Sequence, residues 1–396
     1  MPDIERLKSD IDEIVPDMVA LRRDLHEHPE LAFEEVRTAG IVAGRLRALG
    51  LEVQTGIART GVIGTLKGSK AQAGAKTLAM RADMDALPIN ELNEIDYRST
   101  VAGKMHACGH DGHTSVLLAV ADLLSKRREE LAGNVKFLFQ PAEEIISGAS
   151  RMIAEGALEG VDNIIGLHIF STYPLGRVGV RSGPTFASAD KFVIKVHGKG
   201  GHGAMPEGAV DPIIIAAHIT TALQTLISRE TSPFSPTVIT VARIEAGNAF
   251  NIIPEIAELQ GSLRAYSAEH RAKMVRRITE LAQGIASAMN ANCEVEIFDG
   301  CPVCVNDPAM TELVQRAAES TVGEHAVDAD EKVMTTGSDD MSYFLQTVPG
   351  CYFLVGARNP DKGASYPHHH PRFAIDEDSM PIATEVLTRT ALEYLK

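Results

Sequence analysis

No apolar run in this chain approaches the ~18 residues that a membrane-spanning helix needs, so no spanning segment is expected. The opening Met1-Pro-Asp-Ile-Glu-Arg lacks the basic-then-apolar pattern of a secretory signal, and none is expected there. Basic residues are outnumbered, 38 Lys and Arg against 53 Asp and Glu, for a net charge of −15. That balance argues against nucleic acid or an anionic membrane as partner, since both demand clustered cations. A small anionic substrate stays open, because one local Arg overrides the global field. Cysteine is scarce and unpatterned: Cys108, Cys293, Cys301, Cys304 and Cys351 are odd in number and follow no disulfide spacing. A reduced, cytoplasmic setting is the expectation. No internal repeat, low-complexity tract or long linker interrupts the chain.

What is present is an ordinary globular composition, 44% hydrophobic and 23% charged. A length of 396 residues suggests two or three domains. Apolar positions Ile4, Leu7, Ile11, Ile14, Val15, Met18 and Leu21 predict a helix over residues 4–27. A second helix is predicted at about 33–49, ending at Gly50. Short apolar strands follow at 61–66, 77–82, 134–139 and 163–167, with a helix at 113–126. This βαβ rhythm predicts an α/β fold with a mostly parallel sheet covered by helices. Asp83 and Asp85, Glu143 and Glu144, and His168 all fall just after strands, where open α/β sheets build their sites.

The pattern then changes. Lys191-Phe-Val-Ile-Lys-Val-His197 alternates like a half-buried strand, and Asp211-Pro212 opens a helix running to about Ser228. Strands at 236–245 and 256–266, a helix at 268–289 and a strand at 292–298 complete the order β-α-β-β-α-β. That is the split βαβ, ferredoxin-like unit. Residues 184–297 are therefore expected to form an inserted domain, with 1–183 and 298–396 forming the larger one. The return carries predicted helices near 307–322, 338–346 and 379–394.

The chemistry concentrates in the larger part. In Gln140-Pro-Ala-Glu-Glu144, adjacent Glu143 and Glu144 repel, and burial favours neither unless a cation or proton is close. One carboxylate on a metal and its neighbour handling protons accounts for the pair. Met105-His-Ala-Cys-Gly-His-Asp-Gly-His113 holds three histidines, a cysteine and an aspartate. Cys108 and His110, one residue apart, can reach one ion, and thiolate with imidazole suits Zn, Ni, Co or Mn. Asp83 and Asp85 stand two apart at a strand end, placed to bind metal or to orient a ligating histidine. His168 ends a buried strand in line with Glu144. His368, His369 and His370 offer three further donors, and spacing alone does not choose among them.

In the inserted part, Gly198-Lys-Gly-Gly-His-Gly-Ala204 lacks the GK[ST] ending of a phosphate loop. Its His202, on a flexible turn, suits an oxyanion donor. Asn251 and Arg264 are further polar candidates, although either taken alone reads as an ordinary surface residue. Cys301-Pro-Val-Cys304 lacks the context of a redox or zinc motif.

Together these motifs resemble the metal-dependent aminoacylase and carboxypeptidase superfamily, most closely its branch of hippurate hydrolases, N-acyl-amino-acid amidohydrolases and plant auxin-conjugate hydrolases. The resemblance runs from Leu21-Arg-Arg-Asp-Leu-His-Glu-His-Pro-Glu-Leu31 through Arg81-Ala-Asp-Met-Asp-Ala-Leu-Pro-Ile89, the 106–113 and 139–144 segments, Gly166-Leu-His168, Gly200-Gly-His-Gly-Ala204 and Asn251-Ile-Ile-Pro-Glu255 to Gly337-Ser-Asp-Asp340. It implies a zinc-peptidase-like domain plus a ferredoxin-like lid used for dimerisation. It implies one or two divalent ions (Zn, Mn, Ni or Co) held by Cys108, His110, Glu144, His168 and His369, the last being the His two residues before a Pro. It implies Glu143 as general base, Asp85 as support behind the ligands, and His202 as a lid histidine reaching an active site, often the partner subunit's. Asn251 and Arg264 match lid residues that contact the substrate carboxylate. Two departures stand out: Asp339 replaces a common Glu, and His370 stands beside His369 as a competing donor.

The expected reaction is hydrolysis of an N-acyl amino acid to a carboxylic acid and a free amino acid, by a homodimer or tetramer. Its rivals are a dipeptidase, a deacetylase of one biosynthetic intermediate such as an N-acetyl-diaminopimelate, and a silent metal- or ligand-binding protein. An intact Glu143 argues against the last, because pure binding needs no base beside Glu144.

Overall fold

The computed structural model describes residues 4–396, with side chains from residue 6 onward. The predicted apolar position Ile4 has its side chain outside the described residues, as does the Met1–Asp3 segment. Two units emerge. One comprises Met1–Thr185, Val305–Met334 and Asp339–Lys396; the other comprises Phe186–Cys304 and Thr335–Ser338.

The first unit is built on an eight-stranded sheet. At its centre Asn134–Gln140, Thr77–Asp83, Asn163–Pro174 and Gly350–Arg358 run parallel. Gly61–Lys67 and Glu52–Ile57 extend one side antiparallel. Val178–Gly179 and Val327–Asp328 close the other. Every residue of Thr77–Asp83 is buried, as expected of a central parallel strand with helices over it. The helix His110–Lys126 packs on that strand and against Ile4–Glu27 and Ser379–Tyr394. The two ends of the chain thus cover the helix that carries the site. Among the described residues, no helix is long and apolar enough to cross a membrane.

The second predicted helix spans Val36–Ala48 and starts later than expected, because Phe33 sits at φ 64, outside helical space. The strand Gly350–Arg358 is not among the elements that the sequence predicts. Its residues are buried up to Ala357, and a continuous apolar run has no alternation to distinguish strand from helix.

The second unit has a four-stranded antiparallel sheet in the order Thr237–Ala246, Ile256–Ala265, Asp190–His197, Asn292–Asp299. The first and third strands in sequence lie at the centre, the ferredoxin-like order. Alternation turns Phe192, Ile194 and Val196 into one core with Ile215, Ile219 and Leu223 of Pro212–Glu230 and Met274 and Ile278 of Ala268–Ala288. Both helices start on side-chain caps. Asp211 accepts the Ile213 N–H at 2.9 Å, and Ser267 accepts that of His270 at 3.3 Å.

Candidate metal centre and catalytic carboxylates

The segment 105–113 turns sharply at Gly109, whose φ of 92 suits glycine best. Cys108 precedes this turn, and His110 begins the helix after it. The Nδ1–H of His110 donates to the carbonyl of Asp85 at 2.8 Å, which leaves Nε2 as the ring nitrogen open to a proton or a metal. That Nε2 is buried without a hydrogen-bond partner, and so is Oε1 of Glu144, 3.8 Å away. Two buried polar atoms that face each other without a hydrogen bond are costly unless a proton or a metal cation lies between them. With Cys108 Sγ they form a group of donors all within 4.8 Å of one another. Such a spacing admits an ion with bonds of about 2.0–2.3 Å to N, O and S. The donors fit a divalent metal.

His168 joins from the middle of the Asn163–Pro174 strand, which runs on past the end predicted at residue 167. Its Nδ1 donates to the Ile169 carbonyl at 3.0 Å, and its Nε2 lies 3.6 Å from Cys108 Sγ. Burial, then His113 and His368, hold its pKa well below the usual range, so it stays neutral with that lone pair available. His369 sits at φ 64, an uncommon conformation of the kind found at functional sites. Its N–H is tied to the Ala107 carbonyl at 2.8 Å, and its Nε2 is 3.3 Å from Glu144 Oε2. His368 is also in the cluster, with Nδ1 3.8 Å from Cys108 Sγ. His370 instead accepts the Arg372 N–H at 3.0 Å and stacks on Tyr366 at 4.5 Å.

Asp85 organises the carboxylate pair, since its two oxygens accept the N–H groups of Glu143 and Glu144, each at 3.0 Å. Glu143 Oε1 accepts the Asp340 N–H at 3.3 Å. Burial, then Asp339, Glu144 and Asp340, raise the pKa of Glu143 well above the carboxylate range. Burial would lower that of His110, but Asp83 and Asp85 outweigh it and raise it to about 10. Burial, then Glu144 and Glu143, keep the Cys108 thiol protonated. Beside burial, the three shifts share one contribution, the negative charge of the neighbouring carboxylates, which a bound cation offsets.

His113 is no free donor. Its Nδ1–H reaches Asp83 at 2.7 Å and its Nε2 accepts the Ile169 N–H at 2.9 Å, so both ring nitrogens are used. In the second unit, Gly201–His202 pairs with Ile252–Ile253, bringing His202 and Asn251 to neighbouring positions. His202 is exposed and its Nδ1 accepts the Ala204 N–H at 3.1 Å; the Asn251 carbonyl accepts that of Gly203 at 2.9 Å. Arg264 lies on Ile256–Ala265 and donates to Ser338 Oγ at 2.8 Å. Cys301 and Cys304 are buried and form no disulfide.

Residues 79–393 match the peptidase family M20/M25/M40. The chain belongs to the M20 family. It is 40% identical over 395 residues to thermostable carboxypeptidase 2 of Saccharolobus solfataricus, covering 99% of this chain and 98% of the relative. It is 38% identical over 383 residues to IAA-amino acid hydrolase ILR1-like 2 of Arabidopsis thaliana, covering 96% and 85%. The solved structure of Bacillus subtilis YxeP, described as a dinuclear metal-binding peptidase of the M20 family, superposes with a TM-score of 0.85 at 34% identity, covering 97% of this chain and 99% of that one. This M20 chain is a hydrolytic enzyme of the metal-dependent amidohydrolase and peptidase type. Of the support behind the M20 site, the sequence points to Asp83 and Asp85 but not to Arg81 or Tyr352, and it shows His113 only within the 105–113 cluster. Arg81 stood inside a quoted motif; Tyr352 carried no local signal.

Proposed function

We propose that this enzyme hydrolyses the amide bond of N-acyl amino acids, releasing a carboxylic acid and a free amino acid. The observation that carries this is Asp85 holding the backbone of both Glu143 and its chain neighbour Glu144, whose Oε1 faces His110 Nε2 with neither atom hydrogen-bonded. A binding site alone has no use for that second carboxylate. The names of two relatives support the substrate class, since an IAA-amino acid hydrolase and a carboxypeptidase each free an amino acid from an acyl partner.

In this reading Cys108, His110, Glu144, His168 and His369 hold one or two divalent ions from among Zn, Mn, Ni and Co. Such ions supply Lewis acidity that acidifies water and polarises the amide carbonyl. Glu143 takes the proton of the attacking water and returns it to the leaving nitrogen as the C–N bond breaks. The 184–297 domain serves as lid and dimerisation surface. It contributes His202 as oxyanion donor, with Asn251 and Arg264 as partners for the substrate carboxylate.

The test is amino-acid release from hippurate, N-acetyl-methionine, other N-acyl amino acids and short peptides, with chelated and metal-reloaded protein. Metal-dependent release from the N-acyl amino acids is expected. Release from peptides alone would replace the reading with a peptidase, and release from nothing by folded, metal-loaded protein would overturn it.

A further inference from the structure

Behind Glu143 lies a fully buried network that the reaction as described leaves unused. At its centre the Arg81 guanidinium spends its donors in two directions. On one side Nη1 donates to Asp83 Oδ2 at 2.7 Å. Asp83 accepts from His113, which accepts the N–H of Ile169, the neighbour of His168. On the other side Nη2 donates to Asp340 Oδ1 at 3.0 Å and lies 3.3 Å from Asp339 Oδ1. Between them Nε donates to Gln140 Oε1 at 2.8 Å, and Gln140 donates in turn to Asp340 Oδ1 at 2.7 Å. Tyr352 completes the ring: its O–H donates to Asp339 Oδ2 at 2.7 Å and its oxygen accepts from Arg81 Nη1 at 3.3 Å.

The second arm ends on the catalytic carboxylate. Asp339 and Asp340 form a turn, with Asp339 Oδ1 accepting the Met341 N–H at 2.8 Å and Asp340 Oδ2 accepting that of Ala149 at 3.0 Å. From this turn the Asp340 N–H donates to Glu143 Oε1 at 3.3 Å. The turn is acidic and buried against a third acid. Without Arg81 its carboxylates repel one another and Glu143. Stability alone does not account for such a network, since replacing a buried ion network with packed apolar residues is often neutral or stabilising.

We propose that Arg81 and Tyr352 are positioning residues for Glu143, holding the Asp339–Asp340 turn so that its backbone N–H fixes one oxygen of the base while the opposite arm braces the histidine side of the centre. This rests on the reading of Glu143 as general base. The two residues act through the turn, by hydrogen bonds to Asp83, Gln140, Asp339 and Asp340 and to each other.

The experiment compares wild type with Tyr352→Phe, which removes one hydroxyl and keeps the buried ring, and with Arg81→Lys where that variant folds. Steady-state kinetics and metal-binding isotherms are measured together with hydrogen exchange at the Asp340 amide. For Tyr352→Phe the expected result is a kcat lower by about tenfold to about a hundredfold. KM and the metal Kd should stay within about twofold, and the Asp340 amide should exchange at least about tenfold faster. Unchanged kcat and exchange in folded, metal-loaded Tyr352→Phe would overturn the proposal. So would a loss of kcat matched by loss of metal or by global destabilisation, which marks a merely structural role. If wild type cleaves none of the substrates, the substrate reading fails by itself and exchange at Asp340 decides the positioning claim.

Discussion

The Asp85 carboxylate accepts the backbone N–H of Glu143 at 3.0 Å through one oxygen, while its other oxygen takes that of Glu144. One side chain thereby sets the direction of both members of the acidic pair. Its own backbone carbonyl also fixes the tautomer of His110. An amide cannot repeat this, because its NH2 faces a backbone N–H. In Asp85→Asn, metal affinity is expected to fall about 10- to about 100-fold, with kcat falling alongside. Calorimetric metal titration and turnover on one preparation check this. Wild-type values for both would remove Asp85 from the supporting role.

The C-terminal histidines separate by geometry. His369 combines a left-handed backbone with contact to Glu144, whereas His370 is engaged by Arg372 and Tyr366. His369→Ala is expected to lower metal content or affinity by at least about tenfold, while His370→Ala leaves both unchanged. Metal analysis of the purified variants decides it. His368→Ala belongs in the same series, because its Nδ1 stands 3.8 Å from Cys108 Sγ; metal loss there and not in His369→Ala would reassign the ligand.

Away from the metal, His26 places both ring nitrogens on carboxylates, Nδ1 at 2.8 Å from Asp111 and Nε2 at 3.2 Å from Glu91. Burial would lower its pKa, but those hydrogen bonds outweigh it and raise it above the usual 6.5. Its contribution to stability is therefore fully present below about pH 6.5 and is lost as pH rises through the folded value. Glu91 works at the other end. Burial would raise its pKa, but His26 draws it below 4.5, so its contribution is lost as pH falls through the folded value. Thermal melts of chelated wild type and His26→Gln should therefore converge as pH rises above about 6.5 and through the folded value. A gap that stays constant over that range would contradict the charged state assigned to His26.

Much of this was legible because it follows periodicity. Phe192, Ile194 and Val196 alternate, Asp211-Pro212 announces a helix start, and Glu143 beside Glu144 demands a cation or a proton. What escaped was contact at long range. Tyr352 lies in a buried run without period, and nothing local says that its hydroxyl meets Asp339. Arg81 was placed on a strand from sequence, yet its partner Asp340 lies 259 residues away. Helix limits shifted where backbone conformation overrode pattern, as at Phe33 and Gly109.

The central claim is that Glu143 moves protons beside a metal that other residues hold. Glu143→Gln tests it most directly, because the amide keeps the side chain's shape and its acceptor for the Asp340 N–H but removes the base. Metal content and amino-acid release from an N-acyl amino acid that wild type cleaves should be measured on the same sample. The account predicts full metal occupancy with turnover reduced by about 10²- to about 10⁴-fold. Near-normal turnover in the fully loaded variant would contradict it.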